Sequence, residues 1–559
     1  MRLVECVPNF SEGRDARIID AITSAALSVD GVRVLDVDMG HDTNRTVVTM
    51  VGSPETIGDG VFAAMREAAR LIDMSKHKGT HPRIGAIDVC PFIPVSEISM
   101  EECITIAESL GERVTQELGI PVYLYEYAAR NERRCNLATI REGEYEGLAE
   151  KLKQPEWAPD FGHAEMNARS GAAVIGAREF LIAYNINLST RNKKIADDIA
   201  FDIREIGRAR RDINGKLLFD ENGEKIFDPG KFKAVKAIGW YIESFGCAQI
   251  SINFTNYKIS SLHQVFDEVC RLAEARGVRV TGSELVGLIP LQAIKDAGIH
   301  YLKKQNQSIA VPEKEIIDIA IRSLGLNDLY PFDTTKKIIE YIIRKPQSEL
   351  LSEKKLNDFI DELSSDSPAP GGGSIAALNG AIASALGAMV ANLTHGKKGY
   401  EPNWSSIAET GFWLQTQKKM FLDDIDRDTD SFNDVMAAIR LPKKTENERQ
   451  SRHKAMQQAY LHATLIPFEV MNRAFSMIDS LALIIEQGNQ NSLSDAGVAA
   501  LNLQTALESA FMNILINLPS LENSNLVNDL KTEATTLKEE AIHRIEALKR
   551  KIYSRLMPS

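Results

Sequence analysis

Over the first 340 or so residues, short runs of alternating apolar and polar positions are separated by stretches with helical spacing. "LVECVPNF" (3–10) alternates as a strand and "ARIIDAITSAALS" (16–28) repeats as a helix. "VRVLDVDMG" and "NRTVVTMVG" are two strands around a polar turn, followed by the helix "PETIGDGVFAAMREAARLID" and the strand "RIGAIDVCPFIP". The order β-α-β-β-α-β is the split βαβ, or ferredoxin-like, pattern. It returns after residue 178 as "EFLIAYNINL", "TRNKKIADDIAFDIRE", "VKAIGWYIE", "CAQISINFTN", "SLHQVFDEVCRLAEARG" and "VRVTGSELVGLI". The insert "INGKLLFDENGEK", with two Asn-Gly turns, predicts a surface hairpin. Two similar subdomains make the cleft between them the first place to expect a ligand.

The pattern changes at "RKPQSELLSEKK" (344–355). Beyond it only helical spacing persists, beginning with Leu356, Phe359, Ile360 and Leu363 on one face. The expectation is α/β plus all-α: subdomains at 1–180 and 181–343, a linker at 344–352, and a helical bundle at 353–559.

Bulk properties narrow the function classes. A chain of 559 residues exceeds one core. Its net charge of -12 argues against nucleic acid as a partner. Six cysteines, all before residue 271, form no C-x-x-C pair, and the ten histidines show no metal spacing. "MRLVECVPNF" lacks a signal core, so a reduced, cytoplasmic protein without a metal is expected.

Two segments of the helical part carry chemistry. In "SPAPGGGSIAALNGAIASALGAMVANLTHGKKG" (367–399) no lysine follows the glycines as a phosphate loop requires. The 21 residues Ser374–Thr394 carry no charge and are long enough to span a bilayer, yet they are sorted by size. Ala376, Gly380, Ser384, Gly387 and Ala391 share one face; Leu378, Ile382, Leu386, Met389 and Leu393 share the other. That predicts a helix inside a bundle and no membrane span. Gly371, Gly372, Gly373 and Ser374, at its start, are candidate ligand contacts through free N–H groups. In "FLDDIDRDTDSFNDVMAAI" (421–439), Phe421, Ile425, Phe432, Val435, Met436 and Ile439 form an apolar stripe. Asp428 falls within it and Asp424 at its edge, while Asp423, Asp426, Asp430 and Asp434 point away. A carboxyl held there is either a satisfied structural acid or one tuned for proton transfer.

Ordered motifs along nearly the whole chain resemble the formimidoyltransferase-cyclodeaminase family. They include "LVECVPNFSEG", "DVDMGHDTNRTV", "KHKGTHPRIGAIDVCPFIPV", "PVYLYEYAAR", "WAPDFG", "AIGWY", "GSELVGLIPL", "APGGGSIAALNGA" and the Asp-rich helix ending "RLPK". The resemblance implies two ferredoxin-like halves, a helical bundle, and two consecutive reactions. A formimino group passes from N-formimino-L-glutamate to nitrogen-5 of tetrahydrofolate, polyglutamylated or not. Ring closure onto nitrogen-10 then expels ammonia and leaves 5,10-methenyltetrahydrofolate. It further implies a homo-oligomer, His81 as the transferase base with His77 as competitor, Asp38 as the acid that orients it, and Asp428 as the cyclodeaminase acid. The family's folate segment falls on Gly162, His163, Ala164, Glu165, Met166, Asn167, Ala168, Arg169, Ser170 and Gly171, which is less apolar here than in mammalian-type members. Glu284 stands where those members carry glutamine. Rival readings are a transferase with a degenerate or methenyl-folate-hydrolysing bundle, and a non-catalytic ligand-binding module.

Overall fold

The computed structural model describes residues 2–41, 43–79, 81–243, 245–343, 350–367 and 369–557. They form two compact units, one of Met1–Ala293 with Leu326–Ile343 and one of Ile294–Gly325 with Arg344–Ser559.

The first unit holds two main sheets. Strands β1 (Leu3–Cys6), β2 (Asn9–Phe10), β3 (Arg33–Gly40), β4 (Arg45–Gly52), β5 (Ile87–Ser96), β6 (Val122–Glu126) and β7 (Ala173–Ala177) make the larger. β1 and β2 share one position between β4 and β5, with β3 outside β4. This is the ferredoxin-like order, extended beyond β5 by the parallel strands β7 and β6. Strand alternation sends Val4, Cys6, Val48, Met50 and Phe92 into a core with helices Ala16–Leu27, Ile57–Leu71 and Met100–Leu118. The opposite face carries Glu5, Arg45 and Asp38, because Asp38 pairs with Val47, two residues from Arg45, and Glu5 pairs with Val51.

The predicted hairpin insert is closed by β9 (Arg208–Ala209) and β10 (Phe227–Asp228). The second sheet contains β8 (Ile182–Leu188), β11 (Val235–Ile242), β12 (Cys247–Phe254) and β13 (Val280–Val286) in the order β11-β12-β8-β13. That is again the ferredoxin-like order, so the sequence repeat is a structural one.

Ile294–Gly325, at the end of the stretch that reads as the second subdomain, packs with the helical unit. Its Leu302, Ile309 and Ile316 bury against Ala408, and Ala310 meets Gly411. The Ala310 carbonyl accepts from Asn392 Nδ2 (2.9 Å) and Gln415 Nε2 (2.8 Å). These two contacts span 82 and 105 residues of chain, beyond the reach of local periodicity. Residues 344–349 of the expected linker lie outside the described residues; Leu351–Glu353 forms one 3-10 turn.

Long helices at Gly372–Thr394, Trp404–Arg440, Glu446–Ser476, Leu493–Asn517 and Ser524–Leu556 build the bundle. The small face of the first is buried as its size sorting predicts. Its large face is not enclosed: Ile382, Met389 and Leu393 are 39%, 37% and 49% exposed. The helix is long and apolar enough to cross a membrane by length and composition, but its small face is packed within the protein. Three glycines spaced by seven meet three residues of the Trp404–Arg440 helix spaced by seven. A Cβ on Gly387 would come within 2.7 Å of Leu414 and one on Gly380 within 2.5 Å of the Phe421 ring; one on Gly373 would overlap the Asp428 carboxylate. Near-coincidence of two helical turns with seven residues keeps all three contacts on one line.

Candidate active sites

In the first unit His81 follows the polar turn that leads to β5. Its Nδ1 lies 2.7 Å from the Pro82 carbonyl, and its Nε2 contacts Arg45 Nη1. A carbonyl only accepts and a guanidinium only donates, so Nδ1 carries the proton and Nε2 holds the lone pair. Burial, then the nearby Arg45 charge, hold this imidazole below its ordinary range, so it is neutral near pH 7. His77, the competitor, has both ring nitrogens engaged: Nε2 with the Asn44 carbonyl (2.8 Å) and Nδ1 with Arg83 Nε (3.2 Å). It ties two loops together. Asp38 shares the sheet face but is not the partner of His81; Arg45 occupies that place, and the Asp38 charge acts on Arg45. Asp88 is buried and paired with Arg141.

The segment 162–171, expected to contact folate, is a surface loop pinned at one end. The Asn167 side chain accepts from Arg169 N (3.1 Å) and Ser170 N (2.9 Å), and Arg169 Nη2 reaches the Arg70 carbonyl (2.7 Å). Gly171, at φ 68°, lies against the Ile84 carbonyl and Gly85, which brings the loop beside the strand that His81 precedes. Gly162, His163, Ala164 and Glu165 are exposed, Met166 partly so, and Ala168 accepts from Tyr145 OH (2.5 Å).

Glu284 sits on the polar face of the second sheet. It accepts from Asn185 Nδ2 (2.9 Å), Gln249 Nε2 (3.2 Å) and Tyr330 OH (3.1 Å). Gln249 also bonds Asn187 (2.7 Å) and accepts from Trp240 Nε1 (2.6 Å). The signal for this face was polar residues at alternate strand positions, in "YNINL" and "AQISIN".

In the helical unit the glycine motif and the stripe acid meet. Ser374 Oγ donates to Asp428 Oδ2 at 2.8 Å. Burial raises the Asp428 carboxyl above the usual range, the Ser374 hydroxyl and backbone N–H draw it down, and the Asp424 charge adds to the rise. Gly373 and Ser374 are buried and face Asp428, so Gly371 and Gly372 are the motif residues left open to a ligand. Asp424, placed at the stripe edge by the wheel, is the more buried acid at 1% exposure. It pairs with Arg427 (2.6 Å) and Arg473 (3.2 Å). Asp426 does not point freely outward: it accepts from Leu351 N (2.6 Å) and Ser352 Oγ (2.5 Å), because the segment entering the bundle packs over that side. No group of three His, Cys, Asp or Glu side chains among the described residues could hold a metal.

Comparison with known proteins matches the stretches of chain that carry these residues. The formiminotransferase domain, N-terminal subdomain, matches residues 3–178, and the formiminotransferase domain matches 183–344. The formiminotransferase-cyclodeaminase family matches 355–536. The formimidoyltransferase-cyclodeaminase of Gallus gallus is 42% identical over 541 residues, 97% of each chain. The chain belongs to the formimidoyltransferase-cyclodeaminase family. Members of this family join parts that also occur alone. A glutamate formimidoyltransferase of Streptococcus pyogenes is 40% identical over 305 residues, covering 55% of this chain and 95% of that protein. A methenyltetrahydrofolate cyclohydrolase of Methylorubrum extorquens is 35% identical over 208 residues, covering 36% of this chain and 96% of that protein.

Proposed function

We propose that this chain performs two consecutive folate reactions of histidine breakdown, with His81 and Asp428 as the proton-transfer groups. In the first, nitrogen-5 of tetrahydrofolate attacks the formimino carbon of N-formimino-L-glutamate. His81 Nε2 takes the nitrogen-5 proton as the new C–N bond forms, and returns it to the glutamate nitrogen as the old bond breaks. In the second, nitrogen-10 attacks the same carbon, carried as the protonated formimino group. Asp428 receives the nitrogen-10 proton and delivers it to the departing nitrogen, which leaves as ammonia. A carboxyl raised by burial suits that relay near neutral pH.

The observation that carries the reading is the meeting of Asp428 with the Gly-Gly-Gly-Ser helix start. It joins two motifs 54 residues apart around one half-buried acid. The surface loop 162–171 and Gly371–Gly372 are the folate contacts of this reading; a polyglutamylated folate would serve as the carrier. The exposed apolar faces of two bundle helices, Ile382, Met389 and Leu393 with Val498, Leu501, Met512 and Ile516, support a homo-oligomer. Free thiols fit a cytoplasmic location.

Two single variants test the assignment in the full chain. His81→Ala should lower formimino transfer by roughly 10²–10⁴-fold and leave cyclisation of supplied 5-formiminotetrahydrofolate intact. Asp428→Asn should abolish ammonia release and leave transfer intact. Ammonia release from 5-formiminotetrahydrofolate also separates ring closure from the ring hydrolysis named for the Methylorubrum relative. An Asp428→Asn chain that still cyclises at the normal rate would remove the acid from the mechanism.

A further inference from the structure

Arg45 donates to the nitrogen of His81 that must accept a proton. As long as that contact holds, the lone pair is occupied and the imidazole is not a base. The guanidinium itself is poorly placed at rest. It is half-buried on β4, and burial pulls its pKa down despite the acids around it. Among the described residues it forms no ion pair with a carboxylate. Asp88 on β5, whose charge acts on Arg45, is committed to Arg141 and to the Ile84 N–H (3.2 Å). Asp38 on β3 acts on Arg45 only through its charge. A desolvated cation whose close side-chain partner among the described residues is a neutral ring leaves part of its desolvation cost unmet. An arriving carboxylate would meet it with a forked, charge-assisted pair.

We propose that Arg45 recognises a carboxylate of the anionic formimino donor and, by turning to it, uncovers His81 Nε2. The inference rests on the transferase reading above. It makes Arg45 a binding residue for the donor and a positioning residue for the base. Attack is then possible only when donor is present, because the same anion that binds also releases the lone pair. The groups that set the titration of His81 are Arg45 on β4, Asp88 on β5 and Arg141 on the helix Leu137–Arg141, with Asp38 on β3 acting through Arg45.

The test is steady-state transfer by the full chain carrying Arg45→Gln or Arg45→Lys, against N-formimino-L-glutamate at a series of pH values. Arg45→Gln should raise KM for the donor about 10–10²-fold, the worth of a charge-assisted hydrogen-bonded contact. It should also move the acid limb of kcat/KM to higher pH, because the neighbouring cation is gone. Arg45→Lys keeps the charge and loses the fork, so the limb should stay while KM remains elevated. Cyclisation of supplied 5-formiminotetrahydrofolate and a thermal melt report folding. A donor KM within twofold of the parent in either folded variant overturns the proposal, as does an unmoved limb in a folded Arg45→Gln. Full transfer by His81→Ala would instead overturn the transferase reading itself, so the two failures are distinguishable.

Discussion

His81 and Asp428 are shifted by burial in opposite directions, one imidazole held neutral and one carboxyl held toward its acid form. For the histidine, a lowered pKa means the basic form survives below the usual histidine range of about 6.5. The acid limb of transfer should therefore lie below that value, which a pH profile of kcat/KM reads directly. For the aspartate, Ser374 donates to the charged form and so draws the pKa down. Ser374→Ala should move the corresponding limb of cyclisation to higher pH with transfer unchanged; an unmoved limb would mean that Ser374 only fills space. Asp426 is a poor control for such work because it holds Leu351 and Ser352, whereas Asp434 is exposed. That Asp428 faces the bundle interior was legible in the sequence, because an acid on an apolar stripe is out of place. Arg45 was not: a lone arginine after a turn resembles any solvated charge until strand pairing puts it beside the His81 loop. Likewise Asp38 was expected to orient His81, whereas Arg45 stands beside the ring and the Asp38 charge acts on Arg45.

The pair formed by Gly372–Thr394 and Trp404–Arg440 decides the geometry of the second site. Its sequence announced a size-sorted helix, and the small face is the packed one. What the pattern could not show is the matching period of seven on the partner, since that needs the antiparallel register. Gly380 sits in the middle of this line with Phe421 closing over it. Gly380→Ala should destabilise the helical unit by about 1–3 kcal/mol, as overpacking does, and displace Asp428 from Ser374. The expected readout is a lowered melting transition together with loss of cyclisation, while transfer persists. Equal cyclisation at unchanged stability would show that the helices separate at no cost. The open large face was unreadable for a different reason: a helix wheel sorts side chains but does not say which side meets a neighbour.

At the scale of the molecule, the sequence divided the chain by pattern, whereas packing divides it by contact. The βαββαβ order of both halves and the helical bundle follow from local periodicity, whereas the parallel strands β6 and β7 that extend the first sheet were not read from it. The assignment of Ile294–Gly325 does not follow from it either, because helices of either part share the same spacing. A fragment beginning at 353 would leave Gly411, Asn392, Gln415 and Lys419 without Ala310 and Glu313. It should melt below the helical transition of the full chain, as differential scanning calorimetry would register; a transition at the same temperature would mean these contacts contribute nothing.

The same segment sets an order of events during synthesis. Gln415, a partner of Ala310, lies 105 residues further along the chain. At about 5–20 residues per second, the stretch bearing Leu302, Ile309 and Ile316 leaves the ribosome roughly 5–20 s before that partner exists. Throughout that interval an apolar surface waits uncovered behind a transferase region that can already fold, which makes the nascent chain, rather than the finished enzyme, the form most exposed to aggregation.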